Sequence, residues 1–308
     1  MQSFSKTIKK HKWIIFTMKL SLLLVFILLL FLQFKDLPKT TLTLEKINPY
    51  IGFCVVLFIP LNWYCEYKKW QISVAYVSET ESVKKIQHSF LAGIITGMLS
   101  PNMLGNFVGR IFYFHRSFRM DLIILTTLSN FSQFIWSMVF GLLGIAVISY
   151  NEYTLVFWIG AFLIILLLSF YFLFENYMLR LPFLKKWIRR FSSFQFNYRI
   201  KNSFLLWSGL RHVIFSLQFL FMLHFFNVEL NFALVFWIWQ VYFWVTLSPS
   251  LFLGKIVIRE SIAIWVLSSA GVEAGPVILA SLSIWILNLF IPTIFSLLLC
   301  QSPSDIET

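Results

Sequence analysis

Apolar residues along this chain gather into long runs separated by short polar connections. The first run, Trp13 to Phe34, is about 22 residues long, enough as a helix to span a hydrocarbon core near 30 Å. No small-residue cleavage site follows it, so it predicts a first transmembrane helix rather than a removable signal. Further runs predict spans near 49–64, 122–149, 153–174, 203–226, 232–247 and 276–300. Two apolar segments, Phe90–Phe114 and Pro249–Ala270, break the pattern, because each is interrupted by proline and glycine and each carries cations. The pattern predicts an all-α polytopic membrane bundle of about 7–8 spans, with two broken or re-entrant Pro/Gly segments forming a pseudo-repeat. One transmembrane domain would cover 1–308, with a first repeat unit about 49–149, a second about 203–300, and a basic cytoplasmic loop at 175–202.

Composition agrees with lipid as the solvent. Apolar residues make up 59% of the 308, charged residues only 12%, and the mean hydropathy is +0.79. Soluble chains carry about 25% charged residues. The 36 Phe and 12 Trp suit lipid-facing and interfacial positions. Cys54, Cys65 and Cys300 lie in or beside apolar stretches without a C-x-x-C or a His-rich spacing, so neither a metal site nor a cofactor site is predicted.

Basic residues set the expected orientation. Lys6, Lys9, Lys10 and Lys12 precede the first run, Lys68, Lys69, Lys84 and Lys85 fall in a predicted 65–88 loop, and seven cations crowd 175–202. These three regions are expected on the cytoplasmic side, with the N-terminus cytoplasmic. Two spans between residues 88 and 175 then use up the crossings, so 90–114 should enter and leave on one side. The net charge of +12 follows from topology signals that also attract anionic headgroups. The cations are spread over membrane loops, which argues against nucleic acid as a partner.

The two irregular segments resemble one another. Ser100-Pro101-Asn102-Met103-Leu104-Gly105-Asn106-Phe107-Val108-Gly109-Arg110 is echoed by Ser248-Pro249-Ser250-Leu251-Phe252-Leu253-Gly254, and Arg259 follows Gly254 as Arg110 follows Gly105. Proline breaks a helix, glycine permits an abrupt turn, and open backbone at membrane depth survives only against protein or a watery cavity. Paired breaks in two halves point to a transporter's substrate site. Pro101, Asn102, Gly105, Asn106, Gly109, Pro249 and Gly254 are the expected breaks. Arg110, Lys255, Arg259 and Arg211 are the expected lipid-phosphate ligands. Lys255 and Arg259 stand at i and i+4, where like charges repel unless an anion or Glu260 relieves them. Arg211 could alternatively serve structure. Gly93 and Gly97 predict close helix packing, and Asn130, Gln133 and Asn288 predict interhelical hydrogen bonds. No nucleophile–base arrangement or carboxylate pair stands out, and most of the thirteen acids are expected in loops.

The run Pro101 to Arg110, with Gln133 and Gly141, resembles the lysylphosphatidylglycerol synthase transmembrane-region family, flippase-like bacterial membrane proteins. The stretch Pro249 to Pro292, through Gly254, Arg259 and Trp285-Ile286-Leu287-Asn288, is similar too. That family typically has Arg at the place of Met103 and Glu at the place of Asn106, so both charged members of its signature are absent while Arg110 remains. The resemblance implies a helical bundle with two re-entrant elements in the bacterial cytoplasmic (inner) membrane, handling an anionic or isoprenoid-linked lipid. It does not imply aminoacyl transfer. The expected function is lipid translocation rather than enzymatic turnover. The alternatives are a membrane transferase on a lipid-linked substrate and a non-transporting accessory subunit. Membrane lipids are the expected partners, with self-association or a partner membrane protein left open.

Overall fold

The computed structural model describes residues 48–98, 100, 105–180, 197–248 and 254–300, the side chains of 174–180 and 254–257 excepted. The chain divides into two compact units, Met1–Leu44 and Glu45–Thr308. The expected first span at 13–34 and most of the basic loop at 175–202 lie outside the described residues, as do Pro101, Asn102, Met103 and Pro249.

Within Glu45–Thr308 the described residues are all-α, without strands. In chain order the helices are α1 (Pro49–Val77), α2 (Val83–Met98), α3 (Gly105–Ile111), α4 (Arg116–Ile148), α5 (Thr154–Arg180), α6 (Tyr198–Phe225), α7 (Ala233–Leu247), α8 (Gly254–Ser268), α9 (Ala274–Trp285) and α10 (Ile291–Leu299). A π-helical turn at Ile286–Phe290 joins α9 to α10. Pro292 causes it in part, since it has no N–H to return to the carbonyl of Asn288. Among the described residues, five helices are long and apolar enough to cross a membrane: α1, α4, Thr154–Leu173 of α5, α6, and the continuous Ala274–Leu299. α7, at 15 residues, rises only about 22 Å. Outward faces are apolar, as in Leu155, Trp158, Phe162 and Ile165 of α5, which is the surface of a protein solvated by lipid.

One expectation fails. The predicted 65–88 loop does not begin at residue 65, because α1 continues for 29 residues to Val77. Cys65 to Val77 alternate apolar and polar residues with helical rather than loop spacing. Asn62, Cys65, Lys69, Trp70 and Ser73 therefore all turn inward. The polar residues that mimicked a loop are the buried face of a helix.

The first irregular segment is an antiparallel helix hairpin. Thr96 Oγ1 donates to the Gly105 carbonyl at 2.6 Å, and Ser100 Oγ accepts from the Gly105 N–H. Gly109 lies against the Ala92 carbonyl so closely that a Cβ there would stand 2.5 Å away. At 16 and 7 residues, α2 and α3 are each too short to cross about 30 Å. Helix directions agree with a segment that returns to the end it left. α1 and α6 are antiparallel, since Val55, Asn62 and Tyr64 meet Gln218, Arg211 and Trp207 in reverse order. α4 runs parallel to α6, with Ser132 on Ser208 and Phe140 on His212. So α4 opposes α1, and the hairpin between them begins and ends at one end of the bundle.

The two halves follow one plan. α3 and α8 each contain the motif glycine, Gly105 and Gly254, and carry the motif arginine five residues on. Asn48 and Asn197 cap α1 and α6 through their side chains. All three pairs, Asn48/Asn197, Gly105/Gly254 and Arg110/Arg259, share the 149-residue offset that also separates Asn62 from Arg211. Packing repeats as well: α4 against α7 is matched by α10 against α2, and α1 against α4 by α6 against α9. Because Asn62 touches its own counterpart Arg211, the local two-fold passes through their contact. The pair α1/α6 is antiparallel, so that axis lies across the helices, as in an inverted repeat.

The hairpin generates a direct test. Gly109→Val should overpack the Ala92 carbonyl and cost about 1–3 kcal/mol, seen as a lower unfolding temperature in detergent; an unchanged temperature would refute the close hairpin.

Candidate functional site

The crossing of α1 and α6 carries the densest buried charge among the described residues. Asn62, Glu66, Lys69 and Ser73 follow one another at spacings of four, three and four, so they form one stripe along α1 facing the bundle interior. Glu66 is its centre. Lys69 Nζ lies 2.9 Å from Glu66 Oε2, and Arg211 Nη1 donates to that same oxygen at 3.0 Å. Arg110 Nη2 approaches the other oxygen, Oε1, at 3.5 Å. Arg211 Nε also donates to Asn62 Oδ1 at 2.9 Å.

Three helices thus bring three cations to one carboxylate. Lys69 comes from α1, Arg110 from α3 and Arg211 from α6. Arg110 is held most tightly. Its guanidinium lies 4.8 Å from the Phe90 ring centre and 5.2 Å from that of Trp70, and Trp70 is fixed by donating Nε1–H to Ser89 Oγ at 2.9 Å. Gly93 makes the space, because a Cβ there would stand 2.5 Å from Arg110 Cγ and from Asn106 Oδ1. Lys69 and Arg110 are almost fully buried, at 1% and 2% exposure, while Arg211 keeps 29% and forms the accessible edge.

Charge is not balanced here. No second carboxylate among the described residues lies within ion-pair distance of these cations, leaving two positive charges in excess. A unit pair at 4 Å interacts by about 4 kcal/mol at an effective dielectric of 20, so the mutual repulsion of the cations is comparable to each attraction to Glu66. Such an arrangement invites an anion.

Of the four expected phosphate ligands, the structure unites Arg110 and Arg211. Arg259 has its contacts elsewhere, donating Nη2–H to the Ser281 carbonyl at 2.7 Å on α9, beside the buried Glu260. The Lys255 side chain lies outside the described residues. The asymmetry has a sequence cause: at the 149-residue offset the counterpart of Glu66 is Phe215, so the second half offers no acid on α6 to gather Arg259. Asn288 makes the expected interhelical bond, Nδ2 to Gln218 Oε1 at 2.6 Å, and Gln218 donates to the Val55 carbonyl at 3.2 Å. Asn130 instead lies on an exposed face, and both side-chain polar atoms of Gln133 are buried without a hydrogen-bond partner.

Sequence reasoning missed Glu66, Lys69 and Asn62, because they were assigned to a loop or to its edge. The readable signal was the Glu66–Lys69 pair at i, i+3, a spacing that lets the two side chains meet on a helix.

A sequence model of the family described as Lysylphosphatidylglycerol synthase TM region matches residues 16–296. No curated protein and no solved structure matches the chain.

Removing the one acid should be more damaging than removing one of its cations. Glu66→Gln leaves three cations, two of them buried, without a counter-charge and should cost about 3–5 kcal/mol. Arg211→Gln should cost less, and adding it to Glu66→Gln should restore part of the loss. Thermal unfolding of the four proteins in one detergent checks this; additive losses would contradict a shared cluster.

Proposed function

The chain belongs to the lysylphosphatidylglycerol synthase TM region family, and on that premise we propose that it is a lipid translocase whose anionic headgroup docks at the α1/α6 crossing. It is a multi-pass membrane protein, so a lipid is the ligand that shares its solvent. The observation that carries the reading is the set of three cations on the single carboxylate of Glu66, where two antiparallel helices from the two halves meet.

In this reading the headgroup enters at Arg211, the accessible edge, and its phosphate takes the hydrogen bonds now given to Glu66. Arginine suits the task because its planar fork matches phosphate oxygens. The acyl chains stay in the bilayer while the headgroup crosses along the polar stripe of α1. The α2–α3 hairpin acts as a re-entrant element that holds Arg110 at membrane depth, and α7–α8 plays the corresponding part in the second half. Rocking of one half against the other about the Asn62–Arg211 contact then changes which leaflet the site faces. The protein moves lipid without altering it chemically, in the bacterial inner membrane with a cytoplasmic N-terminus.

Purified protein in liposomes containing a fluorescent anionic lipid should expose that lipid to a membrane-impermeant quencher, and Arg211→Gln should slow the process by about tenfold or more. Arg259→Gln should slow it less. Wild-type rates in Arg211→Gln would remove the assigned docking role, and a chemically altered lipid in mass spectra would replace translocation with transfer.

A further inference from the structure

We propose that the headgroup bound at the α1/α6 crossing carries a doubly charged phosphate, a monoester or a diphosphate, rather than a phosphodiester or a zwitterion. This rests on the translocase reading for the lipid source, though the charge preference belongs to the site itself. Three observations lead to it.

The first is the charge count. Among the described residues, Lys69, Arg110 and Arg211 against Glu66 leave two positive charges in excess, in a place where two of the cations have almost no contact with solvent. A phosphodiester would neutralise one and leave one buried. A zwitterionic headgroup would neutralise none. A dianion closes the balance.

The second is the count of oxygens. Glu66 has two for three cations, and they are shared unequally: Oε2 serves Lys69 at 2.9 Å and Arg211 at 3.0 Å, while Arg110 reaches Oε1 only at 3.5 Å. A phosphodiester also offers two terminal oxygens and would reproduce the shortage. A terminal phosphate offers three, one for each cation.

The third is an unused donor. Arg110 Nε, on a side chain 2% exposed, has no hydrogen-bond partner, and neither does the nearby Asn106 Oδ1 across Gly93. Burying an arginine N–H unpaired is costly, so the cluster holds donor capacity that Glu66 does not satisfy. The aromatic walls Trp70 and Phe90 fix the guanidinium in that position.

The charge of the ligand supplies the test, because a phosphate monoester gains its second charge near pH 6 and a phosphodiester does not. The groups facing the site are Cys65, Glu66 and Lys69 from α1, Arg110 from α3 and Arg211 from α6, while the adjacent His212 turns to the rings of Phe140, Phe215 and Tyr242. Their own titration acts on every ligand alike, so the phosphodiester serves as the internal control. Binding to the full-length protein in detergent would be measured for phosphatidic acid, phosphatidylglycerol, phosphatidylcholine and inorganic phosphate at pH 5.5 and 7.5.

At pH 7.5 phosphatidic acid should bind about tenfold tighter than phosphatidylglycerol. The gap should close toward pH 5.5 through loss of phosphatidic acid binding, with phosphatidylglycerol unchanged and inorganic phosphate a weak competitor. Equal affinities of the two anionic lipids at both pH values would overturn the dianion assignment and leave the lipid reading standing. Inorganic phosphate displacing phosphatidic acid at matched concentration would uphold the dianion and overturn the lipid source. No preference for either anionic lipid over phosphatidylcholine would overturn both.

Discussion

A single carboxylate draws the buried cations of this helical bundle together. Glu66 gathers Lys69, Arg110 and Arg211 from three different helices, and without it those cations would repel one another within the bundle. Buried ion pairs seldom stabilise a protein more than well-packed apolar groups would. Here three cations share one carboxylate, leaving two positive charges in excess among the described residues, and the proposed anion site rests on that excess.

The fold explains why the cluster sits where it does. The local two-fold passes through the contact of Asn62 with Arg211, so residues near it face each other across the two halves at mid-helix. Departure from symmetry then makes the site. The first half has Glu66 where the second has Phe215, and so Arg110 is drawn to the axis while Arg259 turns to the Ser281 carbonyl. The glycines of the hairpin serve the same end. Gly105 and Gly109 let α3 close on α2, and Gly93 leaves room for Arg110 to reach inward between Trp70 and Phe90.

Much of this was readable from the chain itself. Long apolar runs predicted the helical bundle, while the Pro-containing stretches expected to break two of its helices lie at 101–104 and 249–253, outside the described residues. The site was legible only in part. Arg110 and Arg211 were found as cations stranded in apolar surroundings, but Glu66 and Lys69 were hidden because Cys65–Trp70 has the composition of a loop, in which the i, i+3 pairing of Glu66 with Lys69 was the signal overlooked. Arg259 was misplaced for a different reason: sequence symmetry gave it the role of Arg110, whereas its surroundings depend on residue 215, 44 positions earlier in the chain.

The central claim is that positive charge at the α1/α6 crossing exists to meet a lipid headgroup. An experimental structure of the protein in a native-lipid bilayer tests it most directly. Headgroup density within hydrogen-bond distance of Arg211 and Arg110, with Glu66 turned partly away from them, is the expected result. A crossing that stays closed on Glu66, with a further acid from the chain supplying the missing negative charge, would contradict it.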